Sequence, residues 1–220
     1  MAFVTFDLFS ALIDSRTGGG VALAEIGGRR GWGLDAGAVY DEWDARNKAS
    51  QKSTPEWVPF AEHCRRALVD TYRALDLPGD PDADVVRLLD SLPEWPLWPD
   101  AHDALTALRP EHRVGVLSNV DDALFARTGV APLLDRADVL TSERLHAYKP
   151  HPQMYRRALA AGVDVHVAAS ARDTRGALEA GMTVVRVRRP GHSVDPAGPR
   201  PGLEVVDLHG LPAVLALLSP

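Results

Sequence analysis

Ala2-Phe3-Val4-Thr5-Phe6-Asp7 ends a mostly apolar run with a carboxylate. The run is too short for a helix and is rich in aromatic and β-branched residues, which predicts a buried strand. A strand that carries a carboxylate at its carboxyl end is a common way for an α/β protein to present a nucleophile. Asp7 is therefore the first candidate catalytic residue.

The composition is that of an ordinary globular protein. The chain has 220 residues, of which 45% are apolar and 25% charged, and this length predicts one domain with an insertion or two small domains. The formal charge of -6 gives no electrostatic reason to expect nucleic acid or an anionic membrane surface as a partner, while a small polar substrate is compatible with it.

Cysteine usage and hydropathy bear on the compartment. Cys64 is the only cysteine in the sequence, which excludes an internal disulfide and a cysteine-based zinc cluster. The first residues lack a basic leader, and no run approaches the roughly 20 apolar residues of a membrane span. We expect a soluble cytoplasmic protein. The oligomeric state stays open, since apolar helices could bury within the chain or pair with another subunit.

Hydrophobic spacing predicts a helical block between about residues 15 and 92. Its clearest stripe has intervals of three and four residues and comprises Trp57, Phe60, Ala61, Cys64, Leu68, Tyr72 and Leu75. Gly18-Gly19-Gly20 predicts a flexible hinge where the block begins. The prolines between Pro93 and Pro99 break every helix and predict a linker.

Beyond the linker, strands and helices alternate. This alternation predicts an α/β fold, a Rossmann-like parallel sheet with helices on both faces. The later strands are predicted at residues 113–117, 138–140, 163–168, 183–187 and 203–206. Because the strand before Asp7 must join the same sheet, the helical block is an insertion. We expect an α/β core domain at residues 1–13 and 96–220 and a helical cap domain at residues 14–95.

Four short motifs fall at predicted strand ends or helix starts. They are Phe6-Asp7-Leu8-Phe9-Ser10-Ala11-Leu12, Val114-Gly115-Val116-Leu117-Ser118-Asn119, Tyr148-Lys149-Pro150 with Tyr155, and Val165-His166-Val167-Ala168-Ala169-Ser170-Ala171-Arg172-Asp173. In order and spacing this set resembles the haloacid dehalogenase superfamily, over roughly residues 1–13 and 96–190. The helical insertion is placed like that family's cap domain.

The resemblance implies a role for each matching residue. Asp7 would attack the substrate and form a covalent ester, and the Lys149 ammonium beside it would keep the carboxylate ionised. Ser118 and Asn119 would hold the polar end of a small anionic substrate. Asp173 would position Lys149 or a hydrolytic water, and Tyr155 matches a position that many dehalogenases use at the site.

Two departures distinguish the chain from the family's phosphatases. Phe9 stands where they carry the Asp that protonates the leaving group, and Ala168 stands where they carry a metal-binding carboxylate. Magnesium prefers several oxygen ligands, so the motifs favour no cofactor and do not support magnesium. Displacement of halide at carbon needs neither the general acid nor the metal. The metal-independent 2-haloacid dehalogenase branch has an aromatic residue at the position of Phe9.

The match to that branch is imperfect. It has Thr at the position of Ala11 and hydroxyl or amide residues at those of Ala168 and Ser170, so a donor to the nucleophile is lost at Ala11 and a polar group that would position a water is lost at Ala168. The branch also cradles halide with a cap arginine. Arg46 is the best candidate, with Lys48 second, although a solvated helix face explains either one.

We therefore expect a hydrolase with an aspartate nucleophile, most like a 2-haloacid dehalogenase. An atypical phosphatase of the same superfamily and a catalytically silent binding or regulatory member are the alternatives. Some residues have a structural interpretation instead. His166 would be structural within its strand, and Asp121 and Asp122 would interact with the positive end of the following helix.

Overall fold

The structure, a computed structural model, describes residues 1–53 and 56–218. Its contacts divide the chain into two compact units. The core unit comprises Met1–Ile13, Leu97–Asn119 and Val130–Pro220, and the helical unit comprises Asp14–Pro96 and Val120–Gly129. The predicted boundaries differ from this division because they assign residues 120–129 to the core domain.

The core unit contains a parallel sheet of six strands in the order β3-β2-β1-β4-β5-β6. The strands are β1 Phe3–Phe6, β2 Arg113–Ser118, β3 Val139–Thr141, β4 Val165–Ala168, β5 Thr183–Val187 and β6 Leu203–Val205. Phe6 of β1 lies opposite Val116 of β2 and Val167 of β4. The predicted α/β class is confirmed, and the carboxyl ends of β1, β2 and β4 meet at one edge of the sheet.

Five helices belong to the core unit: α5 Ala101–Leu108, α7 Ser142–Leu145, α8 Pro152–Ala160, α9 Ala171–Glu179 and α10 Leu211–Leu218. Apolar side chains of α8 and α9, among them Met154, Ala158 and Ala177, form one buried cluster with Phe3 and Leu117 of the sheet. Burial of such side chains contributes most of the free energy that holds helices on a sheet.

A π-helical turn, Leu8–Leu12, follows β1. The Ile13 amide donates to the Leu8 carbonyl at 2.9 Å and closes the turn. Leu8 and Leu12 are fully buried, so apolar packing holds the turn from inside. The Trp98 indole donates to the Ser10 carbonyl at 3.0 Å and holds it from the side.

A buried ion pair anchors the end of this turn. Arg189 donates through Nη1 and Nη2 to the two oxygens of Asp100, at 2.9 and 2.8 Å. Arg189 Nη2 also donates to the Ala11 carbonyl at 2.8 Å. Burial opposes the charge on Asp100, but Arg189 outweighs it and lowers the pKa of that carboxyl. The pair therefore connects the end of β5 to the segment that follows Asp7.

The helical unit contains α1 Ser15–Arg30, α2 Ala36–Ser53, α3 Phe60–Ala74, α4 Pro81–Asp90 and the short α6 Asp122–Phe125. The expected hinge at Gly18-Gly19-Gly20 is wrong, because these residues lie inside α1. A Cβ on Gly18 would lie 2.4 Å from Trp95, and one on Gly19 would lie 2.4 Å from Tyr40. Gly18 and Gly19 therefore allow close packing.

Asp121 has a partner that its sequence position does not reveal. Its carboxylate accepts hydrogen bonds from the amides of Phe60 at 2.7 Å and Ala61 at 3.0 Å, at the start of α3. Pro59, which precedes α3, has no side-chain acceptor for those amides. Asp121 thus caps a helix about 60 residues earlier, which explains why residues 120–129 group with the helical unit.

In the described ranges, no helix is long and apolar enough to cross a membrane.

We predict that Arg189→Met lowers the free energy of unfolding by about 3–5 kcal/mol, because it leaves the Asp100 carboxylate buried without its counter-charge. Urea denaturation measures the loss. The matched control is Arg188→Met: this neighbouring guanidinium is 60% exposed and pairs with Glu204, so we expect a change below about 1 kcal/mol. Equal losses in the two variants would contradict the anchoring role of Arg189.

Candidate active site

The Lys149 ammonium is the centre of a buried cluster at the carboxyl edge of the sheet. Its Nζ donates to Asp7 Oδ1 at 2.7 Å, to Asp173 Oδ2 at 2.6 Å and to the Leu117 carbonyl at 2.8 Å. An ammonium has three donors, and each of them has an acceptor here. The Lys149 side chain is only 4% exposed, so these contacts replace its hydration.

Electrostatics keep this cluster ionised. Burial opposes the charge on Lys149, but Asp173 and Asp7 outweigh it and raise the pKa of the ammonium above its usual value. Burial also favours the neutral form of Asp173, yet Lys149 and His166 outweigh it and lower the pKa of that carboxyl. An ammonium and a carboxylate therefore face each other at neutral pH.

The second oxygen of Asp7 is held by Ser10. The Ser10 hydroxyl, on the π-helical turn, donates to Asp7 Oδ2, while the Asp7 amide donates to the Val167 carbonyl at 2.9 Å. Ala11 therefore does not leave the Asp7 carboxylate without a hydroxyl donor, contrary to expectation, because the hydroxyl lies one residue earlier, at Ser10.

Ser118 and Asn119 follow different patterns. Asn119 donates through Nδ2 to the Lys149 carbonyl at 2.9 Å and accepts from the Lys149 amide at 2.7 Å, a reciprocal pair that fixes the Lys149 main chain. Ser118, at the end of β2, is fully buried, and its hydroxyl has no hydrogen-bond partner in the part of the chain that the structure describes. A buried hydroxyl without a partner is rare and is often explained by function.

Tyr155 contacts Asp173 directly. Its hydroxyl donates to Asp173 Oδ1 at 2.9 Å, and burial followed by the Asp173 charge raises the pKa of the phenol well above its usual range. Gly176, on α9, allows this approach: a Cβ there would lie 2.8 Å from the Tyr155 hydroxyl and 2.9 Å from Pro150. The absence of a side chain at Gly176 keeps Tyr155 close to Asp173.

His166 also contacts Asp173, although its sequence position gave only a structural expectation. Its Nε2 lies 3.1 Å from Asp173 Oδ2, and its Nδ1 lies 3.0 Å from the Thr5 hydroxyl. Thr5 and His166 are opposite each other on β1 and β4. A pair of polar residues within two otherwise apolar buried strands was the signal available in the sequence.

The other predicted residues lie outside this cluster of contacts. Phe9 is on the π-helical turn and is partly exposed. Arg46 belongs to α2 of the helical unit, where its guanidinium pairs with Glu42, and it borders a cavity of about 460 Å³ between α2 and α3. Lys48 pairs with Asp44 on the same helix. A role for Arg46 at the Asp7 site stays a prediction.

The residues do not fit a magnesium centre. Magnesium needs several oxygen ligands, but the two positions where the phosphatases carry further carboxylates hold Phe9 and Ala168. Across residues 1–53 and 56–218, no group of three or more His, Cys, Asp or Glu side chains could hold a metal ion. The Asp7 and Asp173 oxygens instead hold the Lys149 ammonium.

No protein-family model and no curated protein matches the chain. Among solved structures, a defluorinating L-2-haloacid dehalogenase is 26% identical, with a TM-score of 0.83 and 98% of this chain and 95% of that chain covered. An L-2-haloacid dehalogenase from Xanthobacter autotrophicus is 21% identical, with a TM-score of 0.84 and 100% of both chains covered. A magnesium-bound HAD-hydrolase from Bacillus subtilis is 14% identical, with a TM-score of 0.79 and 98% of both chains covered.

The chain is therefore related in structure to the 2-haloacid dehalogenases of the haloacid dehalogenase superfamily, which confirms the resemblance drawn from the four motifs. The similarity extends over nearly the whole chain, so it includes the helical insertion as well as the sheet. These neighbours support a hydrolase.

We predict that Asp173→Asn lowers the pKa of Lys149, because the opposing charge of Asp173 is lost while burial remains. The ammonium titration followed by NMR measures this shift, and urea denaturation should show a loss of about 3–5 kcal/mol. Asp195→Asn, which removes a carboxylate paired with Arg175 on the surface of the same unit, is the control and should leave the Lys149 titration unchanged. An unshifted Lys149 titration in Asp173→Asn would mean that Asp173 does not hold the ammonium.

Proposed function

We propose that the chain is a hydrolase that displaces halide from a small 2-haloacid, with Asp7 as the nucleophile and no metal in the reaction. The observation that carries this proposal is the placement of the Asp7 carboxylate, which is buried between the Lys149 ammonium and the Ser10 hydroxyl at the end of β1. The similarity to dehalogenases at 25–26% identity supports halide displacement as the reaction class.

The first step is a displacement at carbon. One oxygen of Asp7 attacks C2 of the haloacid, a carbon–oxygen bond forms, and the carbon–halogen bond breaks as halide leaves with the bonding pair. No proton is transferred, so the general acid that Phe9 replaces is not needed. Lys149 and Ser10 each hold one carboxylate oxygen, which fixes the direction of attack and reduces the entropic cost of reaching the near-attack geometry.

Ser118 supplies a donor for the substrate. Its hydroxyl is buried and has no partner within the described chain, so binding a substrate carboxylate would satisfy a polar group that is otherwise left alone. Asn119 then acts indirectly, by fixing the main chain of Lys149. Phe9 and Tyr155 are the remaining candidates from the core unit for contact with the substrate, and Arg46 is the candidate for the leaving halide.

The product of the first step is an ester of Asp7, and a related dehalogenase has been solved with an intermediate complex. Hydrolysis of the ester by water returns Asp7 to a carboxylate and releases a 2-hydroxyacid. Phosphate-ester hydrolysis is less well supported. It needs a general acid, which Phe9 replaces, and a metal-binding carboxylate, which Ala168 replaces.

We predict that the protein releases halide from 2-haloacids in the presence of a chelator and that Asp7→Asn abolishes this release. The measurement is halide and phosphate release from panels of 2-haloacids and phosphate monoesters, each with magnesium and with chelator. The control variant is Asp103→Asn, which alters an exposed carboxylate of the core unit and should keep full activity.

Two other results would overturn the proposal. Magnesium-dependent phosphate release would identify an atypical phosphatase. Inactivity on both panels, combined with a haloacid or phosphate ester that raises the melting temperature, would identify a binding protein, because a ligand that binds only the folded state stabilises that state.

We predict that Ser10→Ala reduces kcat for halide release by about tenfold or more, since a hydrogen bond to a charged group contributes about 1.5–3 kcal/mol. Ser10→Thr keeps the hydroxyl and should remain within about threefold of the native rate, which corresponds to under 1 kcal/mol. Steady-state kinetics separates kcat from KM, and the loss should lie in kcat because Ser10 orients the nucleophile. A pure KM effect would assign Ser10 to substrate binding instead.

A further inference from the structure

Asp173 has more hydrogen-bond donors around it than an ion pair requires. Oδ2 accepts from the Lys149 ammonium at 2.6 Å and faces His166 Nε2 at 3.1 Å, while Oδ1 accepts from the Tyr155 hydroxyl at 2.9 Å. The residue is only 2% exposed. A carboxylate that activates water must offer an accessible lone pair, and these contacts occupy three of its roughly four acceptor positions, including both on Oδ2.

His166 is the contact that Lys149 anchoring does not need. It is fully buried on β4, and Thr5 on the adjacent β1 fixes its ring from the other side at 3.0 Å. The Thr5 hydroxyl has one proton to donate, and it lies closer to His166 Nδ1, at 3.0 Å, than to the Val165 carbonyl, at 3.5 Å. Donation to Nδ1 leaves the ring to donate through Nε2 to Asp173. The strand pairing holds this chain of contacts rigidly.

The end of β4 offers no polar side chain to a water molecule. Ala168 and Ala169 are fully buried and apolar, so Ser170, the N-cap residue of α9, carries the one hydroxyl between β4 and α9. A lowered pKa further weakens Asp173 as a base, because a carboxylate that holds protons poorly removes them from water slowly.

We propose that His166 is a positioning residue that commits Asp173 to holding Lys149, so that hydrolysis of the Asp7 ester is slower than its formation. This inference rests on the proposed function. It assigns Asp173 the role of a fixed anion and removes it from the role of an efficient base.

The two steps differ in rate because only the second requires proton transfer. Ester formation transfers no proton. In hydrolysis, water adds to the Asp7 carboxyl carbon and must lose a proton, the acyl carbon–oxygen bond breaks, and the departing alkoxide gains a proton. Water supplies the oxygen that returns Asp7 to a carboxylate and one proton for the hydroxyl of the hydroxyacid, and its second proton is released to solvent through a base, so only this step depends on a base.

Rapid mixing of the native protein with 2-chloropropionate tests the inference. Halide is followed in time, and intact-mass spectrometry of quenched samples measures the ester on Asp7. We expect a burst of about one halide per protein, a slower linear phase, and a protein population that carries the ester during that phase.

Variants of His166 test its role separately. His166→Phe removes the donor and frees one lone pair of Asp173, so the slow phase should accelerate at least threefold while the burst rate changes less than twofold. His166→Gln places an amide donor near the position of Nε2 and should restore the native ratio of the two phases. His102→Phe, an exposed histidine of the core unit, is the matched control. If His166→Phe does not fold, Tyr155→Phe frees Oδ1 instead and should give the same acceleration.

The outcomes are distinct. Halide release that is linear from the start, with no ester detected, would overturn the inference and leave the proposed function intact. An unchanged ratio of phases in a folded variant that frees Asp173 would also overturn it. Neither halide nor ester with any 2-haloacid would remove the proposed function itself and this inference with it.

Discussion

The buried charge of Lys149 is the constraint on which the rest of the site depends. Transfer of an ammonium out of water costs several kcal/mol, and only complete replacement of its hydration makes this tolerable. Asp7, Asp173 and the Leu117 carbonyl supply that replacement from three different segments of the core unit. The order of strands in the sheet is what brings these acceptors together, since β1 lies between β2 and β4. The strand order that defines the fold therefore also assembles the acceptors around Lys149.

A second layer of contacts limits the freedom of the first. Asn119 fixes the main chain of Lys149, and Ser10 holds the outer oxygen of Asp7. Arg189 binds the carbonyl of Ala11 and so restrains the turn on which Ser10 lies. Each of these contacts restrains a group that itself holds Asp7 or Lys149. Such supporting contacts hold reacting atoms within a fraction of an ångström of a productive geometry. The Asp7 carboxylate is oriented by the whole turn that follows β1.

The sequence predicts the fold and the central cluster because both depend on local patterns: alternating strands and helices, and motifs in a fixed order. It predicts Lys149 and Asp173 beside Asp7 for the same reason. Other contacts depend on register and packing, which a single sequence does not reveal. His166 meets Asp173 through its position on β4 opposite Thr5, and Asp121 caps a helix about 60 residues away. Glycines are ambiguous as well, since Gly18 suggests a hinge by composition but packs against Trp95 inside a helix.

The departures from the dehalogenase pattern form a consistent change rather than a simple loss. The hydroxyl missing at Ala11 is present at Ser10, so the nucleophile keeps a donor. The polar group missing at Ala168 is not replaced by the neighbouring Ala169. His166, within the sheet, instead provides a hydrogen-bond donor to Asp173. The His166 donor stabilises the Asp173 carboxylate but does not hold a water molecule. In the proposed reaction, ester formation requires an oriented carboxylate and hydrolysis requires a base, so this redistribution favours the first step over the second.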